Sequence, residues 1–182
     1  MSYHDKLDIK LNDLQKEFFR EFRKTFPDLA DKIVIEKAII RPDNFCFSVS
    51  SVSDVFGKLS FDTDDTEITV FSDYDHRHFP TYDYDEEKND QRRIQLTCAT
   101  ALDYIKDFVN GNIIIEYQQQ GDKILKSFEY HKNNPESPFS ATVTLKDEPT
   151  KLPLLTRLKN IFKQPDRQPI VTKKVNWFGD IV

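Results

Sequence analysis

The stretch NFCFSVSS, residues 44–51, decides the fold class because its large apolar side chains recur at every second position. Phe45, Phe47 and Val49 alternate in this way, which is typical of a strand with one buried face. The preceding run KIVIEKAIIR is rich in β-branched residues, and the tripeptide PDN between the two runs favours a turn. The runs VFGKLSF and TEITVFS repeat the pattern around a polar turn at 62–65. Four strands in succession predict antiparallel pairing through short connections.

Helical periodicity flanks this block of strands. Residues 11–26, LNDLQKEFFREFRKTF, place Leu and Phe at helical spacing opposite a charged face, and the proline at 27 ends the helix. A second helix is predicted from about Glu86, because apolar residues between Ile94 and Val109 follow the 3.6-residue period. Acidic residues suit its amino-terminal dipole, and Gly111 stands where the residue after a helix C-cap belongs.

The order of these elements predicts an α+β fold. Three further strands, NIIIEYQQQ, KILKSFEYHK and FSATVTL, follow the second helix. Helices and runs of strands are therefore separated, which predicts a mainly antiparallel sheet, curved or split, with helices packed on one face. We expect one domain over residues 1–145 and a basic, proline-marked extension over 146–182 that packs on it. That extension holds a predicted short helix, LLTRLKNIF, and a last strand or ordered tail anchored by Trp177.

Charge and composition limit the function classes. The net charge is -5, but residues 146–174 carry a local charge of +5, which leaves -10 on the remainder. An acidic body disfavours nucleic acid as a partner and speeds encounter with a cationic protein. No apolar run approaches the roughly 20 residues that span a bilayer, and MSYHDKLDIK does not resemble a signal peptide. These features predict a cytoplasmic protein without a membrane partner, in which Cys46 and Cys98 are buried free thiols.

The segment SDYDHRHFPTYDYDEE, residues 72–87, carries the densest chemistry in the chain. It holds six carboxylates, four aromatic residues and two histidines one residue apart. In an extended chain His76 and His78 point to the same side, so they are candidate ligands for zinc or a similar ion. Together with Asp73, Asp75 or Asp83 they form the alternative hypothesis of a metal-dependent hydrolase.

A non-catalytic binding surface is the favoured hypothesis for this segment. Structural zinc normally uses more Cys and His than this chain offers, and no P-loop, dinucleotide fingerprint or nucleophile elbow occurs in it. We therefore expect no cofactor and no metal. Tyrosine supplies large contact area, and carboxylates pair with Lys and Arg of a partner. The predicted binding residues are Asp73, Tyr74, Asp75, His76, His78, Tyr82, Asp83, Tyr84 and Asp85.

The motif TEITVFSDYDHRHF, residues 66–79, resembles a group of small bacterial proteins from polymorphic toxin loci. In that group a Glu-Ile-Thr-Val-like strand runs into an acidic, aromatic segment that ends in His-x-His-Phe and is followed by a helix. The resemblance extends in pattern over residues 33–117. It implies a toxin immunity protein, which is a cytosolic, non-catalytic α+β protein that binds the toxin encoded by a neighbouring gene and occludes its active site. Neither the toxin nor the oligomeric state follows from the sequence.

Overall fold

The computed structural model of the chain describes residues 10–37, 41, 43–121, 123–136, 138, 140–143 and 169–181. This part of the chain contains three α-helices, α1 (Asp13–Thr25), α2 (Pro27–Ala30) and α3 (Asp90–Val109), and a 3₁₀ helix (Thr81–Tyr84). Its first five strands are β1 (Val34–Glu36), β2 (Phe45–Ser50), β3 (Lys58–Thr63), β4 (Glu67–Phe71) and β5 (His76–Pro80). The other five are β6 (Ile113–Gln120), β7 (Lys123–His131), β8 (Ser140–Val143), β9 (Val171–Asn176) and β10 (Gly179–Asp180).

The strands form two five-stranded antiparallel sheets. The first sheet has the order β1-β2-β3-β4-β5, and the second has the order β10-β9-β6-β7-β8. The predicted α+β fold with a split antiparallel sheet is thus confirmed. Among the described residues, no helix is long and apolar enough to span a bilayer.

Helix α1 packs on the inner face of the first sheet through phenylalanine rings. Phe18, Phe19 and Phe22 are fully buried, and their rings lie 5.2–5.9 Å from that of Phe47 on β2. Phe47 in turn packs on Phe61 of β3, at 4.7 Å between ring centroids. Apolar burial of this kind is the main stabilising contribution to a fold, and the alternation predicted for β2 is what aims these rings at the helix.

Helix α3 begins four residues later than predicted. Asn89 is its N-cap and accepts a hydrogen bond from the Arg92 backbone N–H at 3.0 Å, so the helix starts at Asp90 and not at Glu86. The acidic residues expected in the first helical turn instead follow the 3₁₀ helix as an exposed connection. The other end agrees with the prediction, since Gly111 has a φ of +67° directly after the C-cap.

The fifth strand of the first sheet was not predicted. Residues 76–80 pair with β4, with His78 opposite Thr69 and Phe79 opposite Ile68. This segment contains two histidines, an arginine and a proline, so its sequence lacks the pattern that is typical of a strand. The strand tolerates them because it lies at the edge of the sheet, where a proline costs no ladder hydrogen bond.

The C-terminal part of the chain contributes directly to the second sheet. Strand β9 pairs with β6 over five residue pairs, and Trp177 just after it is 3% exposed and contacts Phe56 at 5.4 Å between ring centroids. Residues 171–180 of the predicted extension are therefore part of a sheet. The predicted helix LLTRLKNIF, residues 154–162, lies outside the described residues, and the boundary at 145/146 stays a prediction.

Candidate functional site

Strand β5 divides the predicted binding segment into two ends. The turn at 72–75 connects β4 to β5 at one end of the sheet, and the 3₁₀ helix follows β5 at the other. Five residues of strand separate these ends by about 17 Å. The nine predicted binding residues therefore form no single cluster. They lie along one edge of the first sheet, with His76 and His78 in the middle.

Two separate acidic segments meet where β5 ends. The Thr81 backbone N–H donates to the Thr66 carbonyl at 2.7 Å, which holds the β3–β4 turn beside the 3₁₀ helix. On the other side of that turn, Asn12 donates from its side-chain amide to the Asp64 carbonyl at 3.1 Å. We call this surface the acidic end; its members are Asp64, Asp65, Tyr82, Asp83, Asp85 and Glu86.

Much of the negative charge at the acidic end is accessible. Tyr82 is 62% exposed, and Asp65, Asp83, Asp85 and Glu86 are exposed around it. The Asp85 carboxylate forms an ion pair with the Arg93 guanidinium at 3.5 Å. Asp83 and Glu86 form no ion pair with any residue that the structure describes. These two carboxylates are therefore exposed and unpaired among the described residues.

Tyr84 contributes less surface than Tyr82. Its side chain is half-buried, and its hydroxyl hydrogen-bonds to the Thr100 hydroxyl on α3 at 2.5 Å. Tyr84 therefore attaches the 3₁₀ helix to α3, while Tyr82 projects into solvent.

The histidines occupy the outer face of β5, as expected for an extended segment. The rings of His76 and His78 lie 5.0 Å apart in an edge-to-face arrangement, and His76 stacks on Phe71 at 5.4 Å. His78 Nδ1 lies 2.5 Å from the Glu67 carboxylate, which also accepts the Thr69 hydroxyl at 2.8 Å. Within the described parts of the chain, no group of three His, Cys, Asp or Glu side chains is arranged to hold a metal ion.

The residues at the 72–75 turn divide between core and surface. Tyr74 packs on Tyr117 at 4.6 Å between centroids and donates its hydroxyl to the Val55 carbonyl at 2.7 Å. Asp75 is 8% exposed, so its carboxylate faces the interior of the protein. Asp73 is exposed but lies against Gly57, and this partial burial raises the pKa of its carboxyl more than the Lys58 ammonium lowers it.

A buried polar cluster lies behind this edge, between α3 and the second sheet. Glu129 of β7 is 1% exposed and accepts a hydrogen bond from the Tyr104 hydroxyl. Burial raises the pKa of Glu129 to about 7; the Tyr104 bond lowers it, Asp75 raises it and Arg77 lowers it. The Arg77 guanidinium lies 5.1 Å from the Tyr104 ring centroid. The carboxyl of Glu129 is closed to solvent.

The groove between α1 and α3 offers no activated nucleophile. It measures about 300 Å³ and is lined by residues that include Glu17, Glu21 and Cys98. Burial raises the pKa of the Cys98 thiol to about 12, and the carboxylates of Glu17 and Glu21 act in the same direction. Both cysteines of the chain are buried thiols outside any disulfide, as predicted. A thiol held protonated in this way is a poor nucleophile.

In comparisons with protein-family models, with curated proteins and with solved structures, the chain shows no match. The resemblance to immunity proteins therefore stays a prediction.

Sequence reasoning missed the contribution of the β3–β4 turn to the acidic end. The turn lacks the glycine and glutamate spacing of a calcium loop, so its acidic residues alone indicate no functional role. Its actual neighbourhood depends on the pairing of β4 with β5, which brings Thr66 opposite Thr81. Recognising 72–75 as a hairpin turn would have predicted this proximity.

Proposed function

We propose that this chain is a non-catalytic, cytoplasmic binding protein of the immunity type, which neutralises a cognate basic toxin by occluding its active site. The observation that carries the proposal is the acidic end, where exposed carboxylates from two segments surround the exposed Tyr82. Carboxylates steer a cationic partner and fix its orientation, while a tyrosine supplies contact area at low entropic cost.

Inhibition would be both electrostatic and steric. A toxin that cleaves nucleic acid needs Lys and Arg side chains that hold phosphate. The carboxylates of Asp83 and Glu86 would form ion pairs with those side chains. The body of the protein would then block access of the substrate. The alternative of a metal-dependent hydrolase has less support, because no group of three His, Cys, Asp or Glu side chains among the described residues is arranged to hold a metal ion.

The test is charge reversal at the acidic end. In the double variant Asp83→Lys/Glu86→Lys, we expect the dissociation constant for the toxin domain encoded by the neighbouring gene to rise by at least about tenfold. The loss should shrink as salt is added, because exposed charge pairs are screened. Binding is measured by calorimetry with a catalytically inactive form of that domain, at two salt concentrations.

A matched control is available at the opposite end of α1. Asp28→Lys/Asp31→Lys reverses the same charge at two exposed carboxylates, one in α2 and one at its C-cap, and should leave the dissociation constant within about twofold of the wild type. Wild-type protein that neither binds the neighbouring domain nor protects cells that express it would overturn the proposed function. An unchanged constant in the Asp83/Glu86 variant would remove the acidic end from the interface.

A further inference from the structure

Three exposed apolar side chains lie on or beside the β2–β3 connection, at the end of the first sheet that also carries the 72–75 turn. Val52 is 68% exposed, Val55 is 45% exposed and Phe178 is 59% exposed. Single exposed apolar side chains are ordinary on protein surfaces, but several that share one surface indicate an interaction site. We call Val52, Val55 and Phe178 the apolar patch.

Contacts between three connections bring the patch together. The β9–β10 turn touches the β2–β3 connection, because a Cβ added to Gly179 would lie 2.9 Å from the Ser53 hydroxyl oxygen. Ser53 directly follows Val52, and Gly179 directly follows Phe178. On its other side, the Phe178 ring lies against Gly111, where an added Cβ would approach it to 2.8 Å. The connections that carry the three apolar side chains are therefore in contact with each other.

The backbone beneath the patch is held in place. The Gly57 backbone N–H donates to the Ser53 carbonyl at 3.1 Å and closes the turn that carries Val55. The Val55 carbonyl accepts the Tyr74 hydroxyl at 2.7 Å, and Phe178 N–H donates to the Asn176 side chain at 2.9 Å. A surface ordered before binding loses little conformational entropy when a partner covers it.

We infer that the apolar patch is the second half of the toxin-binding surface and that it receives aliphatic or aromatic side chains flanked by Lys or Arg. The inference rests on the proposed function. Asp54 and Asp73 are exposed on the two connections that border the patch. Their charge favours a basic rim on the partner and disfavours a second copy of this acidic chain.

The dimensions of the edge fit a single partner. Along the strand direction, the five residues of β5, about 17 Å, separate the acidic end from the 72–75 turn beside the patch, and the exposed His76 and His78 lie on that strand. A standard interface covers roughly 800 Å² on each partner, which is wide enough to include both ends. Stable interfaces also contain an apolar centre inside a polar rim, and the acidic end supplies one exposed aromatic side chain, Tyr82.

The test compares two exposed apolar residues at opposite ends of β9. Phe178→Ser removes the largest side chain of the patch, whereas Ile170→Ser removes a side chain that is 56% exposed just before β9 begins. The probe is the inactive toxin domain encoded by the neighbouring gene, titrated by calorimetry. We expect Phe178→Ser to weaken binding by at least about tenfold and Ile170→Ser by less than about twofold. A second variant, Val52→Ser/Val55→Ser, should weaken binding to a similar extent.

The possible outcomes distinguish failure of the proposed function from failure of the inference about the apolar patch. Wild-type protein that fails to bind the domain overturns the proposed function and this inference with it. Binding that is normal in Phe178→Ser and in Val52→Ser/Val55→Ser, but weakened by charge reversal at Asp83 and Glu86, overturns this inference alone. Light scattering should find the free protein monomeric. A wild-type dimer that Phe178→Ser dissociates would assign the patch to a second copy and also overturn the inference.

Discussion

At the scale of single residues, Glu129 is the side chain whose titration should be most visible in stability. Burial raises its pKa to about 7 from an ordinary value of 4.5, so the folded protein holds one more proton than the unfolded chain between these values. Stability therefore falls as the pH rises through this window, by an amount on the order of 3 kcal/mol. Asp75, Arg77 and Tyr104 face the same carboxyl and modulate the effect.

The variant Glu129→Gln isolates this effect, since it keeps an acceptor for the Tyr104 hydroxyl and removes the titration. Urea unfolding at pH 5 and at pH 8 should show a smaller loss of stability in the variant than in the wild type. The same substitution at Glu136, which is exposed, should leave the wild-type pH dependence unchanged. Parallel pH profiles for Glu129→Gln and the wild type would contradict the prediction.

Residue-scale burial also limits how much of the candidate site the sequence could predict. Tyr74 and Tyr82 both adjoin aspartate in the sequence, yet Tyr74 packs on the core and Tyr82 projects into solvent. The difference arises because Tyr74 lies in a hairpin turn over Tyr117 of the second sheet. No pattern within residues 72–87 indicates that this distant strand lies beside Tyr74. The acidic and aromatic character of the edge was predictable, but the division into exposed and buried members was not.

At the scale of secondary structure elements, the capping of α1 should contribute more stability than that of α3. Asn12 accepts from the Gln15 N–H at 2.9 Å, and the Gln15 side chain accepts from the Asn12 N–H at 3.0 Å. The Asn12 amide also donates to the Asp64 carbonyl in the β3–β4 turn. Asn12→Ala should cost about 1–2 kcal/mol, and Asn89→Ala about 1 kcal/mol or less, in urea unfolding experiments. A larger cost for Asn89→Ala would show that the contact between Asn12 and Asp64 adds nothing.

Elements with a strong apolar period were predictable, and the exceptions have physical reasons. Helix α1 and strands β2 to β4 carry large side chains at regular spacing, so their local patterns agree with the final structure. Strand β5 is an edge strand with histidines on its outer face, and its pairing depends on β4 more than on its own residues. Helix α3 starts later than predicted because Asn89 caps the helix more effectively than the acidic residues before it.

At the scale of the whole molecule, β9 is separated from its partner β6 by about fifty residues of sequence. The sequence patterns indicated a terminal strand or tail but contained no information on its neighbours, because strand order depends on long-range packing. In the structure, Val175 is fully buried in the core and Trp177 contacts Phe56 of the β2–β3 connection. Residues 169–181 therefore connect the second sheet to the first.

This arrangement predicts one cooperative unit that includes the C-terminal strand. Trp177 is the single tryptophan of the chain, so its fluorescence reports on the contact between the sheets. Urea transitions followed by this fluorescence and by far-UV circular dichroism should coincide in the wild-type protein.

Trp177→Ala should lower the free energy of unfolding by about 3–5 kcal/mol, measured by circular dichroism, because removal of a buried aromatic side chain leaves a cavity. Phe178→Ala, one residue later and 59% exposed, should cost less than about 1 kcal/mol. Two separate transitions, or equal costs for the two variants, would instead favour a self-sufficient domain at 1–145 with an appended extension.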